Sequence, residues 1–200
     1  MRIFFLMISV FLLLVACDNP HAITESTLGR SELTERERAL LTTAASQSFV
    51  YDFSVEEEYK NINIWVDRYE FGKLKTDHPN GVTMGLDEHK GMIIFSTNRV
   101  IGHEDQIAFR IGVYSDQSTA VGEYTETMPT DYEKNLVSGW GDNISGKEAF
   151  IPNMVLGSMN YSSAGNGTLF HNELQLDEDL FQEVLKEYDV SFIFRVNFTK

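Results

Sequence analysis

Cysteine is nearly absent from this chain: Cys17 is the only one in 200 residues. An internal disulfide is therefore excluded, although many small exported domains lean on disulfides where their cores fall short. Basic residues are also scarce, 16 Lys and Arg against 30 Asp and Glu, for a formal net charge of −14. Affinity for nucleic acid comes from cations neutralising phosphates, so no nucleic-acid partner is expected. A polybasic patch for anionic lipid is missing too. No apolar run reaches the roughly 20 residues that cross a bilayer. There is no Gly-x-Ser-x-Gly elbow, and Val137-Ser138-Gly139-Trp140-Gly141 lacks the glycine before the serine. Internal repeats and low-complexity tracts are absent, and no cofactor motif is found.

The apolar run that does occur lies at the start. Arg2 precedes Ile3 to Val15, followed by Ala16 and Cys17, and Asp18-Asn19 end the run. A basic start, a short apolar stretch and a small residue before a cut describe a secretory signal peptide. The ending Leu14-Val15-Ala16-Cys17 resembles the lipobox of bacterial lipoproteins. That resemblance implies cleavage between Ala16 and Cys17 and a thioether-linked diacylglycerol on Cys17, often with a further acyl chain such as palmitate on its amine. Two or more chains anchor stably where one does not. The expected location is the cell membrane, facing out of the cytoplasm. In a two-membrane host, Asp18 matches a retention signal for the inner membrane, on its periplasmic side.

The division expected is a signal peptide at 1–16, a lipidated Cys17 with a flexible tether to residue 30, and one globular domain at 31–200. The tether segment has no apolar period, and a coil of that length spans on the order of 20 Å. Ser31 is placed to cap a helix running to Ala45, with Leu33, Leu40, Leu41 and Ala44 on one narrow face. From Phe49 the period becomes two. Phe49, Tyr51, Phe53 and Val55 alternate, as do Ile62, Ile64 and Val66, and then Trp65, Tyr69 and Phe71 take the other parity, which predicts a bulge near Asp67-Arg68. Further strands are expected at 92–95, 107–113, 119–127 and 148–162. A second helix from Asp177 to about Tyr188 carries Leu180, Phe181, Val184, Leu185 and Tyr188 on one face. A closing strand places Phe192, Phe194, Val196 and Phe198 together.

Many short strands and few helices predict a mainly β fold with α+β content: an antiparallel β-sandwich or barrel-like domain with an N-terminal helix and one late helix. Fourteen Phe, eight Tyr and two Trp supply the core. Phe49-Val50-Tyr51-Asp52-Phe53, Trp65-Val66 and the Phe-rich closing strand resemble uncharacterised lipoproteins of Gram-positive bacteria, a resemblance that implies no activity.

Chemistry is harder to find. His78, His89 and His103 each sit beside acids in expected turns, and imidazole with carboxylate can bind zinc. Their spacing matches no known ligand pattern, so they are read as solvated turn residues, and a metal site would need these turns to converge at one end of the sandwich. The segment 142–148 lacks the register of a calcium loop. Trp140, Met154, Met159 and Tyr161 lie among Gly, Ser and Asn, where they either pack a sandwich rim or bind a peptide or glycan. The leading expectation is a lipid-anchored, non-enzymatic binding module for an unknown protein, peptide or glycan. The alternatives are an envelope hydrolase using carboxylates or a His/Asp metal site, and a structural or stress-related envelope protein without a small ligand.

Overall fold

The computed structural model describes residues 25–75, 80–128, 136–144, 146–164 and 178–200. In chain order the elements are β1 (Thr27–Arg30), α1 (Glu35–Ala44), β2 (Gln47–Ser54), β3 (Asn61–Glu70), β4 (Lys73–Leu74), β5 (Asn80–Gly85) and β6 (Lys90–Val100). They continue with β7 (His103–Tyr114), β8 (Thr119–Thr127), β9 (Val137–Asp142), β10 (Lys147–Ala149), β11 (Met154–Ser162), α2 (Glu178–Leu185) and β12 (Val190–Thr199). Two six-stranded antiparallel sheets form a sandwich. The first runs β10-β1-β2-β6-β7-β8, and the second β4-β3-β12-β11-β9 with β5 also on β3. The expected fold class is the one observed.

Alternation puts one face of each strand in the interlayer core. Phe49, Tyr51, Phe53 and Val55 are buried there with Ile93, Phe95, Phe109, Ile111 and Val113 of the first sheet. Ile62, Ile64, Val66, Phe192, Phe194, Val196 and Phe198 face them from the second. Phe194 is the hub: its ring stacks on Phe95 at 4.8 Å and meets Phe49 at 5.1 Å and Phe109 at 6.4 Å. Aromatic pairs at these separations add to the area they bury.

The second sheet is apolar on both faces, which explains the parity change read at Asp67-Arg68. β3 stays in unbroken register with β12 from Asn61↔Thr199 to Glu70↔Val190, so no bulge exists there. Tyr69 belongs to the outer face, where Phe181, Leu185 and Tyr188 of the α2 region cover it with Val155 and Ile193. Phe71 lies beyond the strand, in the turn to β4.

Other boundaries also move. Residues 27–30 are not tether: they form β1, paired on both sides with β2 and β10, and Leu28 is fully buried. Burial of one apolar side chain and hydrogen bonds on two edges outweigh the polar composition around it. Helix α1 is capped by Thr34 rather than Ser31, through a box in which Thr34 Oγ1 accepts from Glu37 N and Glu37 Oε2 accepts from Thr34 N. The stretch 148–162 divides into β10 and β11, one in each sheet. Strands β5 and β9 replace expected turn and loop. Asp177 lies outside the described residues. Among those described, no helix is long and apolar enough to cross a membrane.

One polar contact joins the layers through the core. Tyr51 is fully buried, and its Oη donates its single proton between Asp142 Oδ1 and Leu156 O, each at 2.8 Å. Burial first, then Asp142, pushes its ionisation well above the usual tyrosine range. The register slip between Val155 and Gly157 turns the Leu156 carbonyl toward it. A Cβ at Gly157 would stand 2.8 Å from Gly141 O and 2.9 Å from Tyr51 Oη, so only glycine fits the bulge.

Two substitutions test this packing by chemical denaturation. Phe194→Ala is expected to cost about 3–5 kcal/mol as a buried aromatic truncation. Gly157→Ala is expected to cost about 1–3 kcal/mol by overpacking, and a neutral result there would show that the Tyr51 contact is dispensable.

Candidate functional site

The strand directions bring the start of β2, the end of β6, the start of β7, the end of β8, the start of β9 and the end of β11 to one end of the sandwich. A cavity of about 550 Å3 opens there, within the roughly 300–1,000 Å3 typical of ligand sites. One wall is polar and built by the first sheet: Ser46, Gln47, Thr97 and Asn98, with Arg99 at the rim. Asn98 is fixed in place, since Ser46 N donates to its Oδ1 at 3.0 Å and its Nδ2 donates to Ala44 O at 3.0 Å. The facing wall is Ser138, Trp140, Met159 and Tyr161 of the second sheet. Ile107, Met128 and Leu136 complete the lining with Asp105, its single carboxylate among the described residues.

Trp140 is the exposed member, with 43% of its surface open, whereas Met159 is buried. β9 is the last strand of its sheet, paired with β11 alone. On β9 the indole shares its face with Ser138, which lines the same cavity, and with Asp142. Tyr161 leans edge-on against Phe192 at 6.2 Å. Burial pushes its hydroxyl up to about 12, and the charge of Arg99 works against that rise.

At the same end an ion pair bridges the sheets. Arg68 of β3 reaches Glu126 of β8 at 2.8 Å and Glu70 at 2.7 Å. Asp67, on the outer face, pairs with Arg195 at 2.8 Å. Its carboxyl is nevertheless pushed up, because burial outweighs Arg195 and the donated hydrogen bond from Trp65. Arg195 in turn lies 5.1 Å from the Phe181 ring centre and helps seat α2.

The histidines do not meet. His89 precedes β6, with its Nε2 3.1 Å from Tyr59 O, and His103 follows β6 on the surface. The 11-residue strand between them keeps them on the order of 35 Å apart at about 3.3 Å per residue. A hairpin sends successive turns to opposite ends of a sandwich, so these two cannot share a metal. His78 lies outside the described residues, as do Ala16 and Cys17. Among the described residues, no three His, Cys, Asp or Glu side chains gather as ligands. Of the aromatic and Met group, Trp140, Met159 and Tyr161 converge on the cavity, while Met154, at the other end of β11, is core. The polar wall was not legible in sequence. Ser46, Gln47 and Asn98 stand at strand ends, where such residues ordinarily serve turns.

Fold and cavity together define a two-sheet β-sandwich domain with one open, aromatic-rimmed end. The chain belongs to the YgaN domain family, whose model matches residues 27–198, from the first residue of β1 to the penultimate residue of β12. No curated protein matches the chain, and no solved structure does.

Tyr161 reports on the cavity wall. Its folded pKa is raised, so its contribution to stability is full below about pH 10 and is lost as pH rises through about 12. Ultraviolet titration compared with Tyr161→Phe should show a tyrosine ionising near 12, and Arg99→Ala should move that step higher. A Tyr161 step at the ordinary value of 10 would mean an open, wet wall.

Proposed function

We propose that this protein is a lipid-anchored module of the cell envelope that binds a ligand at the open end of its sandwich, without chemistry of its own. The observation that carries the reading is Trp140: a half-open indole beside a cavity lined by both polar and apolar side chains. Soluble domains ordinarily bury such a ring, and exposed aromatics beside pockets mark recognition sites. The lipobox resemblance at Leu14 to Cys17 supplies the anchor in this reading, on the outward face of the cell membrane.

Strand order supports an outward-facing site. Thr27 pairs with Ser54, whereas the cavity is built around Gln47, at the other end of β2. The chain thus joins the domain at the base, and the cavity opens away from it. The acidic excess supports the same arrangement, because anionic headgroups repel the domain body.

Two measurements test this. Mass spectrometry of the native protein should find diacylglycerol on an N-terminal Cys17, and Cys17→Ser should leave the leader uncut and the protein unacylated. Cross-linking in intact envelopes should capture a partner that Trp140→Ala loses while its melting midpoint stays within a few degrees. A bare thiol would overturn the anchor, and undiminished cross-links would overturn the site.

A further inference from the structure

We infer that the ligand of the end cavity is an uncharged oligosaccharide, with one sugar ring laid on Trp140; this rests on the binding reading above and names its chemistry. Two features of the lining point there. A sugar ring presents an apolar C–H face and a polar hydroxyl edge, and therefore needs a flat aromatic on one side and small neutral donors and acceptors on the other. The cavity offers both kinds of surface. Trp140 and Tyr161 lie on the β9 and β11 side, and Ser46, Gln47, Thr97 and Asn98 lie on the β2 and β6 side. Hydroxyls and side-chain amides both donate and accept, as sugar hydroxyls do.

The second feature is scarcity of charge. In a chain with 46 charged residues, counting 16 basic and 30 acidic, the described lining carries only Arg99 and Asp105. A nucleotide, phosphate or acidic peptide would call for several cations, and a basic peptide for several carboxylates. The cavity volume of about 550 Å3 takes more than a single ring.

The test uses the full, acylated chain in a zwitterionic detergent without a sugar headgroup. The probes are the β-1,4-linked tetrasaccharide of N-acetylglucosamine and cellotetraose, followed by calorimetry and by tryptophan fluorescence. Tetra-alanine is the comparison ligand. Binding of either saccharide with a blue shift is expected. Trp140→Ala should weaken it about tenfold or more, a loss of about 1.4 kcal/mol. Trp140→Phe, which keeps an aromatic face, should retain most of it. Gln47→Ala, on the opposite wall, should weaken binding without changing the emission of the free protein. Saccharide binding that survives Trp140→Ala overturns the proposal. So does binding of tetra-alanine with neither saccharide, which would leave the binding module standing with a peptide ligand. Failure of all three probes overturns the sugar chemistry. The envelope cross-links of Trp140→Ala then decide separately whether the cavity is a docking site at all.

Discussion

The interlayer core turns on the aromatic side chains of β12. Phe194 lies against Phe49, Phe95 and Phe109, and Phe198 against Phe53 and Phe150. β12 also sits in the middle of the second sheet, between β3 and β11. The second sheet therefore has no centre until the end of the chain arrives, and β3, which pairs early with β5, must wait for the last strand of the chain to fill its other edge. Such long-range pairing is slow to form, because loop closure is entropically costly before any contact rewards it. With no cysteine inside the domain to shorten those loops, apolar burial carries the fold.

Around that core the two ends of the sandwich differ. At the base, the rings of Tyr59, Phe150 and Phe198 meet edge to edge. At the mouth, the layers are held apart by an ion pair, Arg68 to Glu126, and by side chains that line a space rather than fill it. The hairpin tip of β6 and β7 stands at this end with Ile101 99% exposed beside Gly102, whose φ of +83° suits only glycine comfortably. Tyr51 marks the boundary between the halves: its hydroxyl fixes β2 to β11 through the Leu156 carbonyl, below Met159 on the same strand.

Legibility followed burial pattern. β2, β7 and β8 could be read because their apolar residues alternate, β12 because its Phe192, Phe194, Val196 and Phe198 do, and α2 because Phe181, Leu185 and Tyr188 recur at helical spacing and are buried. β1, β5 and β9 could not. Thr27–Arg30, Asn80–Gly85 and Val137–Asp142 are short or rich in glycine, and edge pairing rather than side-chain pattern makes them strands. The apparent bulge at Asp67 was a second buried face, which no single strand can announce. For the site, Trp140, Met159 and Tyr161 stood out as a group, but the polar wall did not, because its members are common turn residues whose meaning comes from the opposite layer.

The position of β1 has a mechanical consequence. Its four residues run from the base toward the mouth, hydrogen-bonded on both sides to β2 and β10. If residue 17 is held by a bilayer while cargo at the mouth is pulled outward, the tension acts along the strand axis. Antiparallel hydrogen bonds lie perpendicular to that axis, so they are loaded together in shear instead of peeling one at a time. A short strand placed this way resists extraction far better than its length suggests.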